Sequence, residues 1–194
     1  INPITNISST VTYVNNLKLR KIKDSNEVQV IGLPMNPRIS NIAWSPNDKK
    51  VSFSHTAASG VELWFIDVAS AKATKLTAAT VNANLGSPFS WMNDNETLLV
   101  KMLPKNRAPL LDAKKDLPTG PIISNADGVK SQNRTYPDML KNKNDEINFE
   151  NVMTSELYKV NLDGTATLFK NAAMYAGESF SPDGNYLMLN TIQK

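Results

Sequence analysis

An all-β fold built from repeated four-stranded antiparallel units is what the sequence predicts, and three observations predict it. Helical periodicity is nearly absent, while short runs of alternating apolar and polar residues recur between Asn, Asp, Gly and Pro. Three segments repeat one pattern of aromatic, polar turn and strand: Trp44-Ser-Pro-Asn-Asp, Trp91-Met-Asn-Asp-Asn and Phe180-Ser-Pro-Asp-Gly. Two further segments, Glu62-Leu-Trp-Phe-Ile-Asp-Val and Glu156-Leu-Tyr-Lys-Val-Asn-Leu-Asp-Gly, read as a third strand entering a turn, each followed by a polar, edge-like fourth strand. Self-similarity of this kind indicates stacked units, and four antiparallel strands per unit make the blade of a β-propeller.

The individual elements follow from local chemistry. Strands are expected over Val51–Thr56, Val61–Val68, Thr97–Leu103, Glu156–Leu162, Thr165–Phe169 and Tyr186–Thr191. The aromatic-led turns join the first and second strands of each blade. Pro46 and Pro182 preset φ, Asp and Asn hydrogen-bond to their own backbone, and Gly184 accepts a positive φ. Trp44, Trp64 and Trp91 are expected to fill the space between neighbouring sheets, because aromatics at repeat-equivalent positions do so.

Spacing sets the organisation. Trp44 and Trp91 stand 47 residues apart, about one blade period, but Trp91 and Phe180 stand 89 apart. The second blade must therefore hold an insertion, expected over 104–153, where Pro104, Pro109, Pro118, Pro121 and Pro137 concentrate. A loop this long usually serves a function or an interface. One short helix is expected over Tyr136–Asn142, with Pro137 in its first turn. The reading is a single partial propeller over 1–194, with blades at 9–33 (partial), 39–77, 89–169 (interrupted) and 177–194 (partial). Closed propellers need at least about four blades, so two complete and two partial blades make an incomplete ring whose open edges and apolar faces favour self-association.

Composition excludes several functions. The 194 residues are 41% hydrophobic, enough for a globular core. A net charge of +3, spread without a basic block, gives no footprint for nucleic acid. No apolar run reaches the length of a membrane span. Cysteine is absent, so disulfides, thiolate ligands and a cysteine nucleophile are all excluded. The lone histidine, His55, reads as a strand residue at the end of a hairpin, too little for a zinc site or a triad. No Gly-x-Ser-x-Gly elbow and no Gly-rich phosphate loop occurs. Asp145-Glu146 and Asp94, flanked by Asn93 and Asn95, lack calcium-loop spacing and read as solvated turn residues. Catalytic residues, cofactor and metal are accordingly expected to be none.

The Ser-Pro-Asp-Gly and Ser-Pro-Asn-Asp turns resemble the repeats of TolB-like propellers and of the propeller in prolyl oligopeptidase family serine peptidases. The interrupted blade is more telling. Phe89-Ser-Trp-Met-Asn-Asp-Asn-Glu-Thr-Leu-Leu-Val, Leu117-Pro-Thr-Gly-Pro, Asn133-Arg-Thr-Tyr-Pro-Asp-Met-Leu-Lys, Thr154-Ser-Glu-Leu and Leu162-Asp-Gly-Thr follow an order that resembles the propeller of glutamyl endopeptidases. Pro137 departs from it, standing where a polar residue is expected.

That resemblance implies a non-catalytic propeller that caps an α/β-hydrolase domain carried beyond Lys194, gates its active site and helps bind peptide substrates. It points to Arg134 as a substrate-binding residue, because guanidinium geometry suits a carboxylate. An ion pair with Asp138 or Glu150 is the competing use of Arg134, and Arg107 and Lys105 are weaker candidates of the same type. The family's bacterial members imply a periplasmic or secreted location. The alternative is a stand-alone TolB-like propeller that binds a protein partner without catalysis. A carbohydrate-active propeller would need clustered acids near the axis, which the sequence does not show.

Overall fold

The computed structural model describes residues 5–112, 128, 140 and 142–193. Two compact units divide the chain: Ile1–Arg107 with Val152–Lys194, and Ala108–Asn151. The first unit is built of antiparallel sheets and carries the incomplete propeller expected from the sequence.

A four-stranded sheet runs β3 (Ile39–Trp44), β4 (Lys50–Ala57), β5 (Gly60–Asp67) and β6 (Lys72–Lys75) in that spatial order. Its neighbour places β7 (Phe89–Trp91), β8 (Thr97–Met102), β9 (Ser155–Asn161), β10 (Ala166–Phe180) and β11 (Leu187–Ile192) side by side. β1 (Lys18–Arg20) and β2 (Glu27–Gln29) form a separate hairpin. The observed bounds agree with the expected strands to within a residue or two, with one exception. The fourth strand of the second blade does not stop near Phe169. It continues as β10 for 15 residues, pairing β9 through Ala166–Ala173 and β11 through Met174–Phe180. Register shifts at Leu168/Lys170, Lys170/Ala173 and Tyr175/Gly177 bend the strand between its two partners.

The three repeat turns share one backbone. Ser45, Met92 and Ser181 each donate their N–H across the hairpin, to Lys50 O, Thr97 O and Tyr186 O, all at 2.9 Å. Asp48, Asn95 and Gly184, three residues further on, take φ of 59°, 63° and 72°. Only the third is a glycine; Asp and Asn tolerate this left-handed region better than other side chains. Inside the turns, Ser45 Oγ donates to Asn47 Oδ1 and Ser181 Oγ to Asp183 Oδ1. Neighbouring turns are linked as well: Asn95 Oδ1 accepts the N–H of Asn47 at 2.8 Å, and Asn93 Nδ2 donates to Pro182 O at 3.1 Å.

β8 reads as an apolar run broken by a single charge, Lys101. Both of its faces are covered, so alternation is lost. Leu98, Val100 and Met102 pack with Val61, Leu63, Phe89 and Trp91 against the first blade, while Leu99 joins Leu157 and Tyr175 towards the third. Trp91 is buried and donates its indole N–H to Ala43 O on β3 at 3.2 Å. Trp44 corrects the expectation of core packing for all three tryptophans: it is 53% exposed, against 7% for Trp91, although its cross-strand partner Val51 is buried with Val30 and, beside them, Leu17 and Leu19.

In the second unit, α1 (Lys143–Met153) begins after Asn142, whose Oδ1 accepts the N–H of Asp145 at 2.9 Å. Asp145 and Glu146 are thus first-turn helix residues, where carboxylates favour the positive end of the dipole, and not turn residues as expected. Asn148 clasps Leu111 with two 2.8 Å bonds: its Oδ1 accepts the Leu111 N–H and its Nδ2 donates to the Leu111 C=O. The short helix expected over Tyr136–Asn142 falls mostly outside the described residues. Among the described residues no helix is long and apolar enough to cross a membrane.

Candidate functional site

One cluster of polar side chains in the first unit lies where the chain leaves the second blade at Arg107 and rejoins it at Val152. Asn82, in the loop between β6 and β7, is 1% exposed. Its Nδ2 donates to Val152 O at 2.9 Å and Thr154 O at 3.0 Å, and its backbone N–H donates to Lys101 O. Asn84 Nδ2 in turn donates to Asn82 Oδ1 at 3.0 Å. A side-chain amide suits this place because it supplies two donors to two carbonyls that the end of a helix leaves open.

Arg107 lies at the same root. Its Nη1 donates to Asn6 Oδ1 at 2.5 Å, and Asn6 O accepts the N–H of Ala83, so arginine, N-terminal segment and loop meet at one point. Burial pulls the guanidinium pKa below its usual value, while leaving it charged. Arg107 Nη2 and Asn84 Oδ1 are buried with no hydrogen-bond partner among the described residues. One is a donor and the other an acceptor, and buried polar atoms of this kind cost stability until a partner satisfies them. An acceptor oxygen would satisfy Arg107 Nη2, and an N–H or O–H donor would satisfy Asn84 Oδ1.

A second polar centre fastens the seam between the second and third blades. Lys101 Nζ on β8 donates to Leu85 O at 3.1 Å and pairs with Glu178 Oε2 on β10 at 3.3 Å, both side chains almost wholly buried. Ser90 Oγ donates to the other oxygen, Glu178 Oε1, at 2.6 Å. Burial lowers the Lys101 pKa and the Glu178 carboxylate opposes that shift. With every polar atom engaged, the cluster acts as a structural clasp.

His55 is buried in β4 and its Nδ1 accepts the N–H of Arg38 at 3.2 Å, beside the edge of Trp64. Across the strand pair stands Glu62, held by Lys75 and by the indole N–H of Trp64. These contacts consume the imidazole's environment in packing, in line with the strand reading. Asp94 accepts the N–H groups of Glu96 and Thr97, as a turn residue does.

Arg134 lies outside the described residues. Of its two weaker companions, Lys105 is exposed and Arg107 is the one drawn into a cluster. Sequence reasoning missed Asn82, Asn84, Lys101 and Glu178. Lys101 carried a usable signal, as a single charge inside the apolar run Leu98-Leu-Val-Lys-Met; the two asparagines carried none beyond lying in a loop.

No family model matches the chain. Its sequence is 32% identical over 209 residues to a protein named probable glutamyl endopeptidase, chloroplastic, of Oryza sativa subsp. japonica, covering 100% of this chain and 22% of that protein. It is also 32% identical over 180 residues to a protein of the same name from Arabidopsis thaliana, covering 88% of this chain and 18% of that one. The chain thus spans about a fifth of the length of these curated relatives. Among solved structures, TolB from Acinetobacter baumannii aligns with a TM-score of 0.48 at 13% identity, over 91% of this chain and 32% of that one. An acylaminoacyl peptidase from Pyrococcus horikoshii aligns with a TM-score of 0.45 at 12% identity, over 87% and 22%. The expected periplasmic or secreted, bacterial-type location is corrected by these relatives, which are named as chloroplastic proteins of plants. That expectation came from bacterial members of the resembled family and rested on no residue of the chain.

Proposed function

Because this chain belongs with the propeller of glutamyl endopeptidases, in the prolyl oligopeptidase family, we propose that it serves as the non-catalytic cap of a serine peptidase. The observation that carries the reading is the 32% identity to a glutamyl endopeptidase across the whole chain. In this role the propeller covers the active site of an α/β-hydrolase domain and limits entry to short or unfolded peptides. Its own share of substrate binding falls to guanidinium groups of the insertion and its root, Arg134 and Arg107. The buried Nη2 of Arg107 supports this use, since a carboxylate is the partner that satisfies an arginine best.

The coding sequence that follows Lys194 tests the reading. A Gly-x-Ser-x-Gly elbow followed by Asp and His supports it, and a reading frame holding only further blades sinks it. On the peptidase, Arg134→Lys and Arg107→Lys should each raise KM for acidic peptides while leaving neutral peptides unaffected. Equal effects on both substrates would assign these arginines to structure alone.

A further inference from the structure

Four stretches distant in sequence meet at the base of the insertion, and residues 80–84 are their hub. Towards the outgoing chain, Leu103 N–H donates to Thr80 O at 2.8 Å, Val81 bridges Met102, and Asn82 N–H donates to Lys101 O. Towards the returning chain, the Asn82 side chain holds Val152 O and Thr154 O, and its own Oδ1 accepts the N–H of Asn84 at 3.2 Å. Towards the segment at Asn6, Ala83 N–H donates to Asn6 O, and Ile7, buried in the core, bridges Ala83 in parallel. Arg107 closes the circuit, since its Nη1 reaches Asn6 Oδ1 from the outgoing chain itself. Both ends of the insertion are thus fastened to one loop, and that loop to Asn6 and Ile7.

The joint is composed differently from the blades beside it. Asn6 takes φ of 55°, a left-handed conformation that asparagine tolerates at some cost. Arg107 Nη2 and Asn84 Oδ1 are buried without a hydrogen-bond partner among the described residues, and that desolvation cost is relieved when the joint opens to water. The Lys101–Glu178 clasp has its charges paired and hydrogen-bonded, and β4 and β5 are laddered from Lys50 to Ala57. A joint held by side-chain amides and single bridges, with a left-handed residue and two unsatisfied atoms, is where local opening starts.

We infer that this joint is a latch that opens and closes as one unit, so that the segment at Asn6 and Ile7 governs both ends of the insertion at once. Arg107 and Asn82 act on opposite ends, but they share the loop between them. Loss of the Arg107–Asn6 bond frees Ala83 on one side. Because Ala83 lies between Asn82 and Asn84, the two amides at the returning chain lose their placement with it. The latch goes beyond the peptidase-cap reading and does not depend on it.

Native-state hydrogen exchange on the 194-residue chain tests it. In the wild type, the amides of Ala83, Asn84 and Leu103 should share one opening free energy and one dependence on denaturant, both smaller than those of the amides paired between β4 and β5. Arg107→Met removes the guanidinium and keeps the stem. It should speed exchange at Ala83 and Asn84 by about tenfold or more and leave the β4–β5 pairs unchanged. Asn82→Leu, acting from the other end, should speed Ala83 and Leu103 by a similar factor. The double variant should exchange little faster than either single one, because a latch already open has nothing more to lose. Faster exchange at Ala83 alone in Arg107→Met, with Asn84 still protected, means two independent anchors and overturns the latch. Separate opening free energies for Ala83 and Leu103 in the wild type overturn it too, with no variant needed. Equal acceleration at β4 and β5 is global destabilisation and likewise removes it. None of these results bears on the peptidase-cap reading.

Discussion

Lys101 and Glu178 face each other at 3.3 Å from strands of two different blades, with side chains 2% and 5% exposed. Removing one partner strands the other charge in a dry seam, which costs about 3–5 kcal/mol. Lys101→Met and Glu178→Gln should each destabilise the chain on that scale in denaturant unfolding. The Lys101→Met, Glu178→Leu double variant should recover much of the loss, since apolar groups of similar volume need no partner. Additive single effects would show that the two charges are not coupled.

Trp91 and Trp44 occupy the same place in successive repeats but differ in burial. Trp91→Ala should cost about 3–5 kcal/mol, from the lost transfer energy and the cavity left behind. Trp44→Ala should cost about 1 kcal/mol or less in dilute chain, being a largely exposed ring. Urea midpoints at constant m-value give the comparison.

Asn82 holds two carbonyls at the return of the insertion. Asn82→Leu leaves Val152 O and Thr154 O without their donor, at about 1–3 kcal/mol for buried groups left unsatisfied. Limited proteolysis should find faster cutting in residues 142–154, with the hairpin of β4 and β5 unchanged. Uniform acceleration across the chain would argue for global destabilisation instead.

Burial keeps the His55 pKa below the ordinary imidazole value, against the pull of Glu62. The unfolded chain therefore binds a proton that the folded chain resists, and stability falls as pH drops through about 6.5 towards the lowered folded value. Glu62 adds a loss at lower pH: burial raises its pKa, but the hydrogen bonds from Lys75 and Trp64 outweigh burial and leave it lowered. Its stabilisation is present above the ordinary carboxylate range and disappears below it. His55→Asn, which keeps an acceptor for the Arg38 N–H, should flatten the stability profile near pH 6 and leave the steeper acid limb. An unchanged profile would remove His55 from the account.

The strands, the repeat turns and the interruption of the second blade were legible because they rest on short-range chemistry: alternation, Asn and Asp in turns, and an aromatic at a fixed offset. Gly184 was legible for the same reason, whereas the left-handed Asp48 and Asn95 were visible only through their equivalence to it. α1 is marked in the sequence only by Asn142 and the Asp145-Glu146 pair, and adjacent carboxylates suit a solvated turn as well as the first turn of a helix. Asn82 and Glu178 gain their meaning from partners 70 and 88 positions away in sequence, and no local pattern encodes such meetings. Trp44 shows the converse. Its local pattern is that of a buried aromatic, yet its ring is 53% exposed, because burial depends on what packs beside a residue and the turn motif does not encode that.

β10 is one strand with two employers: its first half closes the second blade and its second half opens the third. A boundary between blades normally passes through a loop, where either side can fray alone. Here it passes through a hydrogen-bonded ladder bent by bulges, so the two-stranded third blade borrows protection from the second. Amide hydrogens of Glu178, Ser179 and their β11 partners should exchange with the cooperative opening of β8 and β9, as a single foldon. Tension applied along the chain between β9 and β11 would be borne by backbone ladders on both sides of the bend, making this junction a mechanical splice where a hinge would otherwise lie.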